Sequence, residues 1–444
     1  MLVRDLKRIA LVVGPIVGLL LISVSLWDSQ TYSSLRSQVG DLVGKPHTAA
    51  GVDPNAVGRT HHEIFSRSTP DKKYFPITFG NYTAFNPNII PHPTRNDTWI
   101  IVSQKRRVNP DGSDPDEHSV FNVELGCNAA FFEDDADGRQ PGLHCLEWPE
   151  VLPIAATSGD KCTGDIEFMG WNIGPHDARV FYGPKKPYIL FGSNSRFACY
   201  GMWLQDFRLL VDWQPERFGS RGQTFRSATE LQRPPQQAYG AVEKNWFLFW
   251  DKDDRIYVHY DLFPRRAFAR IDSTGAAGKD VSSQAEQHDK RCMARYLPKL
   301  PKDLESIHQS TNSLRLTMCK RADASCVPNN ANTFIIMLIH HKTYYDYHGE
   351  YEPYVVVFRQ RNPFELYGIS KKPLWIHGRQ HLTGNRSDML YVVSINWKAR
   401  GQKYHGYLDD VLFLSFGIED HKSGGMDVLA ADLLLGLGLC SAGV

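Results

Sequence analysis

Val180-Phe181-Tyr182-Gly183-Pro184-Lys185-Lys186-Pro187-Tyr188-Ile189-Leu190-Phe191-Gly192 decides the fold class. Two short runs of β-branched and aromatic residues flank a turn of Gly, Pro and Lys, the pattern of a β-hairpin. The pattern recurs along the chain. Residues 98–103 read as a strand, and 246–250 with 256–260 as a hairpin whose turn is Asp251-Lys252-Asp253-Asp254. Residues 333–339 with 354–358, and 391–395 with 411–416, repeat it. Strong amphipathic helices are scarce: 282–296 and 426–435 are the only plausible ones, with a strand plus turn as the alternative for the second. Residues 273–280 read as a mobile polar insertion. Hairpins separated by long irregular loops suit a β-propeller better than a sandwich, so the expected class is all-β.

The N-terminus reads differently. Arg4, Lys7 and Arg8 outnumber Asp5, and residues 9–27 then run without a charge. At about 1.5 Å per residue that run spans roughly a bilayer core. Trp27 stands where an interfacial aromatic belongs, and the basic flank holds the N-terminus in the cytosol. A cleaved signal peptide would have a shorter apolar core followed by a small-x-small site; Ser23-Val24-Ser25 lies inside the run instead. The expected organisation is a cytosolic tail at 1–8, a transmembrane signal anchor at 9–27, a polar stem at 28–70 and a lumenal domain at 71–444. Sequons at Asn81, Asn96 and Asn385 fit glycosylation in the lumen. All eight cysteines follow the anchor, which reads as disulfides in an oxidising compartment. Cys319 and Cys326 are close enough to bridge locally; the other pairings stay open. No Cys-x-x-Cys pair or His/Cys cluster suggests a metal, and a net charge of +1 argues against nucleic acid as a partner.

Four clusters of polar residues sit at strand ends, where the channel of a propeller would gather them. They are Gly174-Pro175-His176-Asp177-Ala178-Arg179-Val180, Gly192-Ser193-Asn194-Ser195-Arg196, Glu243-Lys244-Asn245-Trp246, and the segment from Leu408-Asp409-Asp410 to Gly417-Ile418-Glu419-Asp420-His421. Each has a plain structural reading as a turn cap or a surface ion pair. Asp409-Asp410 and Asp253-Asp254 superficially match the metal–nucleotide acid pair of many glycosyltransferases, but Asp251 to Asp254 lies between two strands and reads as a turn.

These residues, in this order, resemble the fungal type II membrane β-1,2-mannosyltransferases (glycosyltransferase family 91) and, more distantly, the five-bladed propeller β-mannoside phosphorylases (glycoside hydrolase family 130). The resemblance covers roughly residues 165–435. Besides the clusters above, it runs through His308-Gln309-Ser310-Thr311-Asn312-Ser313-Leu314 and Glu350-Tyr351-Glu352-Pro353-Tyr354. Where the phosphorylases carry Glu-Asp-Pro-Arg, this chain has His176-Asp177-Ala178-Arg179, so the surroundings of Asp177 have changed.

The resemblance implies a five-bladed β-propeller anchored in the Golgi membrane, facing the lumen. It implies inverting transfer of mannose from GDP-α-mannose to a mannan or glycan hydroxyl in β-1,2 linkage, with GDP-mannose as substrate and no cofactor or metal. Asp177 takes the place of the proton-handling acid. Arg179, Asn194, Arg196, Lys244 and Arg265 are the expected donor-phosphate contacts, and His308, Asn312, Asp410 and Asp420 the expected sugar contacts. Two other activities fit the same residues: a β-mannoside phosphorylase or hydrolase, and a non-catalytic glycan-binding propeller.

Overall fold

The structure, a computed structural model, describes residues 58, 60–106, 122–133, 141–171, 173–211, 224–301, 304–345, 347–382 and 386–440. The expected tail, the 9–27 anchor, most of the stem and Asn385 lie outside these residues. Among the described residues no helix is long and apolar enough to cross a membrane.

The chain is all-β. The opening hairpin forms as Tyr182↔Pro187 closes His176–Tyr182 onto Pro187–Asn194, and Tyr200–Asp206 and Thr229–Glu230 extend it to a four-stranded antiparallel sheet. Phe247–Trp250, Ile256–Asp261, Ala267–Ile271 and Ala277–Asp280 make a second four-stranded sheet. Asp251 shapes the turn of its first hairpin, its Oδ1 accepting the amides of Asp253 and Arg255. A seven-stranded sheet is built on the long hairpin Thr333–Tyr345 and His348–Arg359. A nine-stranded sheet has two antiparallel arms, one starting at Leu390–Trp397 and the other at Ala84–Pro91. They meet where Phe75–Thr78 pairs antiparallel with Lys422–Leu429 and parallel with Gly142–Cys145.

Several strands are buried along their whole length. Pro187–Asn194 and Tyr200–Asp206 have no exposed residue, which explains why they read as continuous apolar runs rather than alternating ones. The core between sheets is strongly aromatic. Phe249 meets Phe268, Phe358 and Phe364 edge-on, with centroids 5.1–5.9 Å apart, the geometry that suits the ring quadrupoles. Polar side chains also link the inner strands by standing in for backbone. Asn312 is fully buried; its Oδ1 accepts the Ile395 amide and its Nδ2 donates to the Ile395 carbonyl. Ser313 Oγ donates to the Leu248 carbonyl in the same way.

Two expectations change in detail. Within 273–280, Ala277–Asp280 is the outer strand of its sheet, and the tight turn before it is organised by Asp272, whose carboxylate accepts from Thr274 and Ala276. The 426–435 segment resolves as a strand, Lys422–Leu429, followed by a one-turn helix, Ala430–Leu433. The 282–296 segment becomes a 3-10 turn and the α-helix Glu286–Tyr296, pinned from inside by buried Asp289, which pairs with Arg266 at 2.7 Å and accepts the Leu366 amide.

All eight cysteines pair, as Cys127–Cys145, Cys162–Cys199, Cys292–Cys440 and Cys319–Cys326. Asn81 and Asn96 stand on exposed turns.

Candidate active site

Asp177 is the second residue of the His176–Tyr182 strand and breaks its register: His176 pairs with Gly192, but the next regular pair is Arg179↔Leu190. The bulge follows from Asp177's left-handed backbone (φ 47°). Gly174, at φ 96°, supplies the preceding turn, and a Cβ there would collide with the Asn122 carbonyl. The carboxylate thus turns aside from the sheet. Asn86 Nδ2 donates to its Oδ1 at 2.9 Å, while the Asp177 amide donates to Gln104 Oε1 at 3.1 Å. Asn86 is itself left-handed (φ 56°) and fits because Gly417 opposite has no side chain to displace it.

Residues from several sheets complete the cluster. Arg179 is buried beneath Asp177. Its Nε donates to the Ser310 carbonyl (2.6 Å), its Nη1 to the Asp177 carbonyl (3.2 Å), and its Nη2 to Asn245 Oδ1 (3.1 Å) and the Tyr391 hydroxyl (3.2 Å). Tyr391 in turn donates to Asn245 Oδ1. Around Tyr391 stand His308, His340 and Tyr351, with ring centroids 4.8–6.1 Å away. Lys244, Lys342, Arg106 and Asp420 share the electrostatic field of this group.

Five non-glycine residues here have positive φ: Asn86, Asp177, Asn245, Glu419 and Asp420. Each costs on the order of 1 kcal/mol, least for Asn and Asp. Glu419 and Asp420 owe theirs to the hairpin turn between Val411–Ile418 and Lys422–Leu429, whereas Asn86, Asp177 and Asn245 must be held by the surrounding fold.

The electrostatics separate acids from cations. Asp420 is exposed at the surface, yet surrounding protein and then the charge of Asp177 push its carboxyl up to about 6, against relief from Arg106 and Lys342. Glu124 is completely buried, and neither of its oxygens makes a sound hydrogen bond, although the Ala178 amide gives some relief. Burial, then the charge of Asp177, raises its carboxyl well above the usual range. Burial lowers His308 to about 4, and Lys244, Lys342 and Arg179 reinforce the shift. His340 is likewise held neutral by burial. Burial, then repulsion by Lys244, lowers Lys342. An anion placed between these two lysines would relieve that repulsion.

Of the residues expected from sequence, the structure gathers Asp177, Arg179, Lys244, His308 and Asp420. It employs Arg179 as an internal brace, because its guanidinium hydrogens are directed at protein acceptors. The others are placed differently. Arg196 pairs with Glu230 at 3.1 Å, and Arg265 pairs with Asp280 and Glu286. Asn194 is buried and donates to the Gly170 carbonyl at 2.7 Å, and Asn312 is the backbone bridge described above. Asp410 accepts both arms of Arg321 and the Tyr407 amide, which makes it a turn residue. Asn245 belonged to a cluster singled out in the sequence without a role of its own, and sequence reasoning missed Asn86, Gln104, Glu124, Lys342 and Tyr391 as members. Among the described residues no group of three or more His, Cys, Asp or Glu is placed to hold a metal.

No family model matches the sequence, and no curated protein matches it. Solved structures do. The β-1,2-mannobiose phosphorylase from Listeria innocua is 12% identical, with a TM-score of 0.43 over 84% of this chain and 98% of that one. A GDP-Man-dependent mannosyltransferase from Leishmania mexicana is 11% identical, with a TM-score of 0.39 over 80% and 89%. An endo-arabinase from Bacteroides thetaiotaomicron is 10% identical, with a TM-score of 0.37 over 80% and 96%.

Proposed function

We propose that this chain is an inverting β-mannosyltransferase that moves mannose from GDP-α-mannose to a hydroxyl of a mannan or other glycan, forming a β-linkage of the 1,2 type. The observation that carries the reading is the meeting of the Asp177 carboxylate, aimed by Asn86, with the cations Lys244, Lys342 and Arg106. The choice of mannose and GDP draws on the motifs around Asp177, Lys244 and Asp420.

The strands read as five blades of four. Their inner strands are Ala84–Pro91, His176–Tyr182, Phe247–Trp250, Leu314–Thr317 and Leu390–Trp397, and Phe75–Thr78 closes the ring as the outer strand of the last blade. The cluster then occupies one end of the axis. The 9–27 anchor, a Golgi location and a lumenal domain are part of the same proposal, and four disulfides and exposed sequon asparagines suit it.

In the proposed step an acceptor hydroxyl oxygen attacks the anomeric carbon from the face opposite the diphosphate. The new C–O bond forms as the bond to the diphosphate oxygen breaks. The hydroxyl proton passes to Asp177, directly or through a sugar hydroxyl, and GDP leaves with the bonding electrons. Lys244 and Lys342 stabilise the charge growing on the diphosphate. Asp420 holds sugar hydroxyls, and Arg179 keeps the base of the site rigid through Asn245 and Tyr391.

One observation favours a second reading, phosphorolysis or hydrolysis of β-mannosides. Glu124 and Asp420 both hold protons more tightly than ordinary carboxyls, and a departing glycosidic oxygen needs an acid. The purified protein should be incubated with GDP-mannose or other sugar nucleotides and a mannan acceptor, and the product anomer read by proton NMR. A new β-mannoside supports the transferase. Sugar phosphate or free mannose released from a β-mannoside, with the nucleotide untouched, would replace it by the second reading.

A further inference from the structure

Gly164–Trp171 is a 3-10 segment with no buried residue. It contributes nothing to the core, yet it is firmly fixed. Cys162, just before it, is bonded to Cys199, and the buried Asn194 side chain holds the Gly170 carbonyl at 2.7 Å. It turns large aromatics outward: Phe168 is 62% exposed and Trp171 49%. Beside it, on the turn between Asn194 and Tyr200, Phe197 is 38% exposed and lies flat on Tyr239, with centroids 5.5 Å apart and planes 11° from parallel. The Arg196 guanidinium rests 5.8 Å above Phe197.

The register places these rings at the Asp177 end of the sheet. His176 pairs with Gly192, and Asn194 with Tyr200, so the 194–200 turn projects from the end where Asp177 begins its strand. On one side the segment leads into the site: Ile173 accepts the Asn122 amide, and the Asn122 side chain reaches the His176 ring at 2.6 Å. On the other side Cys199 donates to the Ala241 carbonyl, and Glu243 to the Tyr200 carbonyl, immediately before Lys244 and Asn245. The rings therefore form a ledge between the two chain segments that deliver Asp177 and Lys244.

Scattered exposed aromatics are ordinary. A cross-linked surface segment with no buried residue and two large rings about half exposed or more is different, because its rigidity lowers the cost of holding a ligand against those rings. A pyranose presents one C–H face and a rim of hydroxyls. Flat rings suit the face, and Asp165, Glu167 and Arg196 can bond the rim. We infer that Phe168, Trp171 and the Phe197–Tyr239 stack form a binding ledge for the extended part of a glycan acceptor, whose reacting end lies at Asp177. This rests on the glycan-transfer reading above.

Two measurements on the full chain separate the ledge from that reading. In native gels containing soluble mannan, the wild type should be retarded. The double variant Phe168→Ala, Trp171→Ala, and separately Phe197→Ala, should bind about two- to tenfold more weakly per ring removed. Val327→Ala, an exposed position on the loop before Thr333–Tyr345, should match wild type. In transfer assays the KM for a long mannan should rise by a similar factor, while kcat and the KM for mannobiose stay unchanged. Wild-type indifference to mannan in the gel overturns the ledge, as does equal binding by the ring variants. So does a double variant that loses transfer to mannobiose, since the rings would then only support the fold of the site. If the chain transfers no sugar but the gel shift depends on the rings, the ledge stands and the transferase reading falls.

Discussion

Asp409 and Asp410 are adjacent in the sequence, whereas Asp177 and Asp420 come from different sheets. The adjacent pair is satisfied. Asp409 accepts the amides of Arg321 and Ala322. Asp410 accepts both arms of Arg321, the Tyr407 amide and the Gln402 side chain. The distant pair is not: Asp177 has Asn86 on one oxygen, and its charge opposes ionisation of both Asp420 and Glu124. Acids whose oxygens are taken up by turn amides and a guanidinium have little left to give a substrate. Acids whose ionisation is opposed by a neighbouring acid mark functional sites more often than acids locked into a turn.

The sharpest way to break this contrast is Asp177→Asn. The amide still accepts a hydrogen bond from Asn86, so the melting temperature should stay within a few degrees of wild type. Transfer should fall on the order of a hundred- to ten-thousandfold, the usual contribution of a general base. Activity within a few-fold of wild type would remove Asp177 from the mechanism and make it one more turn acid.

Lys244→Ala comes next. Lys244 is exposed and depresses both His308 and Lys342. Removing it should cost about ten- to a hundredfold in kcat/KM for the sugar nucleotide. The Lys342 pKa should rise at the same time, because one repelling charge has gone. An unchanged kcat/KM would show that the diphosphate lies elsewhere.

Asp420 gives a smaller, pH-dependent effect. An ordinary Asp in the unfolded chain loses its proton near 3.9, whereas this one keeps it to about 6 in the fold. The unfolded state therefore binds fewer protons across that window, and stability falls as pH rises through it. Asp420→Asn should match wild type near pH 4 and melt slightly higher at pH 7. In Asp177→Asn, carbon NMR should find the Asp420 titration moved down toward the ordinary value, since a neighbouring negative charge has been removed. A titration at 420 that ignores residue 177 would uncouple the pair.

How much of this was legible in the sequence depends on the scale at which it is determined. The hairpins were readable because strand and turn are local: 180–192 carries its own apolar runs and its own Gly-Pro turn. Asp177, Lys244 and Asp420 were readable as polar residues next to strands. Glu124 and Asn86 were not singled out, because what matters about them is which strand lies behind Asp177 and which position opposite is glycine. Tyr391 and Lys342 sit inside strands that look like ordinary core hairpins; their role comes from several sheets meeting at one end. Arg196 and Arg265 misled for the same reason. A cation near a strand end attracts attention, but its partners, Glu230 for one and Asp280 with Glu286 for the other, are fixed by tertiary packing.

The smallest effect is expected at Asp409. Each of its oxygens accepts one backbone amide, from Arg321 and from Ala322. Asn would keep an acceptor for one of them and turn an NH2 toward the other. The site is partly open to water, so the loss should stay near the value of a single net hydrogen bond, about 0.5–1.5 kcal/mol, read as a modest drop in melting temperature. Arg321 would keep Asp410, so the ion pair that holds the turn survives. Transfer should remain within about twofold of wild type, because a uniform small loss of stability does not alter transition-state binding. A variant that folds normally but loses most of its transfer would show that the acid pair works on the substrate. If manganese then stimulated the wild type and failed to stimulate the variant, Asp409 would be a metal ligand, and charge stabilisation by Lys244 and Lys342 alone would no longer account for the departing diphosphate.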